Sequence, residues 1–189
     1  DPVAIADQAF LFKRAVRETA LRHKMYASFM AKPMEKEPGS AMHIHQSVIS
    51  TKTGENIFSN TDGDASSLFY AYIGGLQRFL PASLSLLAPN VNSYRRLIRY
   101  HAAPINVQWG LDNRTVGLRV PDSGRETRRV ENRVPGADAN PYLAIAASLA
   151  CGLLGMQQKL DPSAPVTASA YDMPYELPRS LEQSLEALE

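Results

Sequence analysis

Apolar residues recur at helical spacing through the first 23 positions, where Ile5, Ala9, Phe12, Val16 and the Thr19/Ala20 pair form one stripe. Asp1 can cap such a helix and Pro2 suits its first turn. The pattern predicts a helix over 1–23 with that stripe in the core. The period then shortens. Residues 25–31, MYASFMA, read as a strand ended by Lys32-Pro33. Residues 33–40 read as a loop. In AMHIHQSVI at 41–49, Met42, Ile44 and Val48 alternate with His43 and His45, which predicts a strand with one core face. TKTGEN at 51–56 holds a turn at Gly54.

A second helix is predicted over 64–80 with Asp64 as its cap. Its Gly74-Gly75 pair lowers helix propensity and allows close packing. Pro81 opens a new segment at 82–88. Strands are predicted at 105–109, 114–120 and 127–133. A long helix follows at 141–159, capped by Asn140 or Asp138 with Pro141 in its first position. Residues 161–178 are proline-rich and loop-like. Ser180 and Gln183 suit a capping box for a last helix, which reaches Glu189 without a stop signal, as if the chain were cut there. The sum is an α+β domain with antiparallel strands favoured over βαβ units. No repeat or linker divides the 189 residues into two domains.

Composition narrows the function classes. A 44% hydrophobic content suits one domain with a sizeable core. The single Cys151 excludes an internal disulfide and a cysteine-rich zinc module, and its apolar surroundings read as a buried thiol. No apolar run approaches a membrane span and no secretory signal opens the chain, so the expectation is a cytoplasmic protein without a membrane partner. The net charge is only +1, but nine of the fourteen arginines lie between Arg95 and Arg133, with four acids among them. Planar guanidinium forks on strands suit small carboxylate or phosphate ligands better than an open nucleic-acid surface or a solvated basic face.

His43 and His45 share one strand face, either as ordinary surface histidines or as a metal ligand beside a phosphate donor. Two histidines alone complete no metal site. Arg129, Glu131 and Arg133 also share one face, as a plain ion network or as a carboxylate ligand beside anion-binding arginines. Arg114 and Arg119 point to opposite faces of a regular strand unless Gly117 marks a bulge; Arg119 can equally be structural. No GxxxxGK loop, dinucleotide GxGxxG or serine nucleophile elbow is present. Phosphate chemistry on this chain would fall to arginines and a metal.

Four segments together resemble the C-terminal catalytic domain of the glutamine synthetase family. They are FMAKP with GSAMHIHQSV, then APNVNSYRRL, then AP followed by WGLDNRTVGLRVP, and RRVENRVPGADANPYLA. The resemblance covers essentially residues 1–189 and implies a curved antiparallel sheet with flanking helices, here a partial domain truncated at both ends. It implies a ligase that uses ATP and Mg2+ or Mn2+ to phosphorylate the γ-carboxylate of glutamate, which an amine then attacks to form an amide.

By the same resemblance, His43 and Glu131 hold a metal, and His45, Arg119 and Arg129 meet nucleotide phosphates. Arg114 stabilises the transferring phosphoryl group. Arg96, Arg133 and the backbone at Gly39 take glutamate. Ser93 serves local turn structure as readily as function. Other metal-binding glutamates and a β-grasp domain belong upstream in this family, whose members form stacked rings, usually dodecamers. The isolated chain is therefore expected to be inactive and not to form rings. One position departs from the ordinary pattern. Where ammonia-using members carry a glutamate before the AP dipeptide, RYHAAP places Ala102, with Arg99 and His101 nearby. That departure resembles the γ-glutamylpolyamine synthetase branch and predicts a primary alkyl amine or polyamine as substrate. Trp109 is either a wall of the enlarged pocket or a core residue. Ammonia as the amine, and a non-catalytic structural or regulatory role, are the competing readings.

Overall fold

A computed structural model describes all residues 1–189. Helix α1 (Pro2–Arg22) starts where the Asp1 carboxylate accepts the Val3 and Ala4 amides. Its predicted core stripe does not hold. Ile5 and Phe12 are 54% and 63% exposed, Ala9, Val16 and Ala20 are half-buried, and Ala6 is the helix's one buried residue. The helix leans on the domain through small side chains and leaves its large apolar ones outside.

The core forms between α2 (Ser67–Phe79) and α5 (Pro141–Gln158). Ser66, rather than Asp64, caps α2 by accepting the Phe69 amide, and Asn140 caps α5. The two helices approach to backbone contact. A Cβ on Gly75 would meet the Cys151 carbonyl and the Gly155 Cα, and one on Gly152 would overlap the Tyr72 ring. Of these glycines only Gly74-Gly75 stood out as a pair in the sequence; Gly152 and Gly155 complete the contact from the other helix. The Phe58 ring packs tilted against both Phe69 and Tyr72, with centroids 5.1 and 5.0 Å away. Leu76, Leu80, Leu84, Leu118 and Val130 fill the space toward the sheet, and Cys151 is buried there as expected. Short helices α3 (Leu84–Leu87) and α4 (Val91–Tyr94) follow α2.

The sheet has the order β1-β4-β3-β2, with β1 at Ile44–Gln46, β2 at Trp109–Leu111, β3 at Leu118–Val120 and β4 at Val130–Asn132. It corrects the expectation in three ways. Each strand is only three residues long, so 105–108 and all of 114–117 fall outside the ladder. The sheet is small and uncurled, since such short strands have no length over which to curve. Finally, β2 and β3 run parallel while the other pairs are antiparallel. Three residues rise only about 10 Å, a span that the loop at 112–117 can return. The predicted strand at 25–31 forms no ladder at all.

Two polar bonds pin the sheet to the helices from its inner face. Tyr72 on α2 donates its hydroxyl to Gln46 Oε1 at 2.6 Å, and Asn132 Nδ2 donates to Ser148 Oγ on α5 at 3.0 Å. The last helix, α6 (Leu181–Glu186), is capped by Ser180, but the Gln183 side chain reaches the Arg179 amide instead of closing the box on Ser180. No helix is long and apolar enough to cross a membrane.

The glycine contact makes a direct prediction. Gly75→Ala and Gly155→Ala should each destabilise the domain by about 1–3 kcal/mol through overpacking. Gly124→Ala, where a Cβ meets nothing within 4 Å, should be near neutral. Urea unfolding of the three variants compares them.

Candidate active site

Register places the site. His45 on β1 and Arg119 on β3 both lie directly opposite Glu131 on β4, so one row of side chains crosses three strands on one face. His43, Arg129 and Arg133 flank this row at two-residue offsets. The Glu131 carboxylate is the meeting point. Arg119 donates NH1 to Oε2 at 2.7 Å and Arg133 donates NH1 to Oε1 at 2.8 Å. His43 Nδ1 stands 3.0 Å from Oε1.

Glu131 is 3% exposed. Burial by itself would raise its pKa, but the Arg119 hydrogen bond, Arg133 and the two histidines together bring it below the ordinary carboxylate value. His43 moves the other way from what an ion pair suggests. Burial, then the Arg133 charge, lower it to about 4 against the pull of Glu131. The imidazole is therefore neutral at pH 7. Its contact with Glu131 is a hydrogen bond from a neutral ring rather than a salt bridge, and a ring lone pair remains available to a ligand. Burial likewise lowers His45, whose Nδ1 accepts from Arg129 Nε at 3.3 Å.

The arginines divide by environment. Arg96 is 2% exposed, with NH1 and NH2 donating to the Val134 and Arg133 carbonyls at 2.8 and 2.9 Å. Burial lowers its pKa to about 10, still well above neutrality. It braces the end of β4, a structural task that the resemblance did not include. Gly39 lies against its stem; a Cβ there would come within 2.9 Å of Arg96 Cγ. Arg133 keeps a buried Nε without a partner. Arg114 sits outside any strand, exposed in the loop between β2 and β3, and makes no hydrogen bond or ion pair. No bulge is needed to explain it.

Sequence reasoning missed Asp112, which takes the second arm of Arg119 at 2.6 Å and whose carboxyl that hydrogen bond lowers. It also gave no role to Lys32. This lysine is buried, with its backbone clamped by Asn92, and its ammonium meets the Glu37 carbonyl and His101 Nδ1 at 3.2 Å. Ser93 and Trp109 take their structural readings. Ser93 bonds the Asn90 amide and Asp138, and the buried Trp109 donates to the Ser163 carbonyl.

The loop carrying Ala102 is tied down at three neighbours: Arg99 to the Met173 carbonyl, Tyr100 to Asp172, and His101 to Lys32. Tyr100 and Ala102 both take left-handed backbone, at φ 62° and 58°, and Ala102 is exposed. No group of three or more His, Cys, Asp or Glu side chains could hold a metal, so His43 and Glu131 are a two-donor set.

The sheet of this α+β domain thus gathers two histidines and three arginines on one face around an ionised carboxylate. The chain belongs to the glutamine synthetase family: residues 1–189 match its catalytic domain. It is 49% identical over 154 residues to γ-glutamylputrescine synthetase PuuA of Escherichia coli strain K12, covering 82% of this chain and 32% of that protein. It is 42% identical over 188 residues to a glutamate–isopropylamine ligase of a Pseudomonas species, covering 98% and 41%. The structure of a GmaS–ADP complex superposes with a TM-score of 0.89 at 34% identity, over 100% of this chain and 45% of that one. The chain thus spans less than half the length of these relatives.

The Glu131 cluster predicts its own fragility. Glu131→Gln should cost about 3–5 kcal/mol, because it leaves the buried Arg133 without its counter-charge and Arg119 with Asp112 alone. Chemical denaturation reads the loss, and Asp112→Asn, at the exposed end of the network, should cost far less.

Proposed function

We propose that this domain belongs to an ATP-dependent ligase that joins the γ-carboxylate of glutamate to a primary alkyl amine or polyamine through γ-glutamyl phosphate. The Glu131 cluster carries the reading: an ionised carboxylate with a neutral imidazole 3.0 Å from it. Adjacent ligands on an octahedral magnesium with bonds of ~2.1 Å lie ~3 Å apart. His43 Nδ1 and Glu131 Oε1 would fit two neighbouring corners of one ion once the neutral ring carries its proton on Nε2, so that the metal replaces the hydrogen bond between them; two such donors suit a cation that otherwise takes water and phosphate oxygens. Mg2+ or Mn2+ held there would offset charge on a phosphoryl group in transfer.

The chain's own residues share the remaining work. His45, Arg119 and Arg129 face the nucleotide phosphates. Arg114, unpaired in the structure, keeps its charge free for the transferring group. Arg96, Arg133 and Gly39 form the glutamate side, where the unpartnered Arg133 Nε offers a donor. A carboxylate is a poor electrophile because its leaving group would be oxide; phosphorylation replaces that with phosphate, and the amine attacks the acyl carbon.

Ala102 supports an alkyl amine over ammonia. It supplies no negative charge to gather ammonium, and it leaves room on an exposed, pinned loop. The names of the putrescine and isopropylamine relatives agree with that reading. In the full-length protein, which we place in cytoplasmic ring oligomers, kcat/KM should favour putrescine or a monoamine over ammonia. A clear preference for ammonia would restore the ordinary assignment. Ala102→Glu should move the ratio toward ammonia. Residues 1–189 alone should release no phosphate from ATP with glutamate and amine.

Arg114→Ala in the full-length enzyme should lower kcat about 10²–10³-fold, the scale of losing one transition-state donor. Nucleotide affinity, read by calorimetry, should change much less. An equal loss in both would move Arg114 from transition-state stabilisation to ground-state binding.

A further inference from the structure

Lys32 is 5% exposed and takes part in no ion pair. A buried ammonium without a carboxylate is an unfavourable arrangement, and lysine is almost never fully buried unless paired. The fold nevertheless fixes it firmly. Asn92 on α4 clamps the Lys32 backbone from both sides: its Oδ1 accepts the Lys32 amide and its Nδ2 donates to the Lys32 carbonyl, each at 2.9 Å. The ammonium then divides its donors between two loops. One goes to the Glu37 carbonyl, five residues on. Another goes to His101 Nδ1 at 3.2 Å, 69 residues on. An ammonium can only donate, so Nδ1 accepts and the neutral ring carries its proton on Nε2.

The loop at 33–40 is pinched at its neck. The Ser40 amide donates to the Ala31 carbonyl at 2.8 Å, and a Cβ on Gly39 would collide with that carbonyl as well as with Arg96. In the loop at 99–103, Arg99 and Tyr100 are fastened to Met173 and Asp172, while His101 stands between the left-handed Tyr100 and Ala102. Left-handed backbone at such residues persists only where the surroundings hold it. No hydrogen bond or ion pair joins the two loops directly; Lys32 alone bonds to both.

We infer that Lys32 is a positioning residue, which locks the loop presenting Gly39 to the loop carrying Ala102 and so sets the spacing between the glutamate and amine sides of the site. This rests on the ligase reading of those loops. A displacement of about 1 Å between bound reactants can slow their reaction roughly 10²-fold. In amide formation the amine nitrogen bonds to the acyl carbon, the C–O bond to phosphate breaks, and the amine loses a proton. If the amine side drifts, water attacks in its place, the same C–O bond breaks, and glutamate and phosphate are the products. Loss of the Lys32 link therefore uncouples phosphate release from amide formation, whereas a lysine needed only for folding would lower both together.

The full-length protein tests this with glutamate, ATP and putrescine, phosphate and amide being measured side by side. Lys32→Met keeps the stem and removes the donors; His101→Leu removes the acceptor at a half-buried position that tolerates change; His101→Asn keeps an acceptor. In the first two, amide formation should fall roughly 10–100-fold while phosphate release persists. His101→Asn should stay coupled, and the Lys32→Met/His101→Leu double variant should be no worse than the poorer single one. Hydrogen exchange gives a readout independent of substrate. Amides at 99–103 should exchange faster in both single variants, and those at 34–40 only in Lys32→Met, because His101→Leu leaves the Glu37 bond intact. Parallel losses of phosphate and amide, additive effects in the double variant, or unchanged exchange at 99–103 would overturn the inference. A wild-type enzyme that makes no amide would instead sink the ligase reading, and exchange would still decide whether Lys32 ties the loops.

Discussion

Glu131 holds a negative charge where only 3% of the residue reaches solvent. A buried carboxylate costs several kcal/mol unless its oxygens are matched by donors that stay put. Here the donors come from three places in the chain: Arg119 from β3, Arg133 from beyond the end of β4 and His43 from just before β1. Satisfying that charge fixes how the three strands align. A slip of β4 by one residue would turn Glu131, and Arg133 with it, to the other face and leave Arg119 and His43 facing an empty position. The register of the sheet and the electrostatics of the site are one constraint.

Such short strands cannot hold that register unaided. The opposite face of the sheet is anchored through Gln46 to Tyr72 and through Asn132 to Ser148, and those anchors sit on α2 and α5. The helices in turn are held by glycine contacts that bring their backbones together. Packing in the helix pair therefore sets the position of the charged row on the other side of the sheet. The same economy appears in the loop bearing Ala102, where two left-handed residues are retained because three neighbouring side chains are fastened to separate parts of the fold.

The arginine cluster takes a different form from a basic face. Arg96 and Arg133 are buried and Arg119 is mostly covered, each spending donors on a carboxylate or on backbone carbonyls. Only Arg114 is wholly uncommitted among the arginines assigned to the site. A preorganised set of cations around one acid, with one free charge at the rim, favours bound anions of fixed geometry over a mobile polyanion.

The sequence by itself determined the helices with strong punctuation: Asp1-Pro2 and Asn140-Pro141 set two N-termini, and alternation around His43 and His45 gave both their shared face and the core side of β1. It also brought Glu131 between two arginines on one face and placed Gly74-Gly75 at a close contact, because periods of 2 and 3.6 are local properties of the chain. Only the tertiary structure decided which strands pair, that β2 and β3 run parallel, that His43 is neutral, and that Arg96 braces carbonyls. Those outcomes depend on residues far apart in sequence whose charges and burial act together. The α1 stripe and the 25–31 strand mark the boundary most clearly. Both patterns are present in the amino acids, yet a buried face or a ladder exists only where another surface covers it, and no periodicity within the segment can supply that partner.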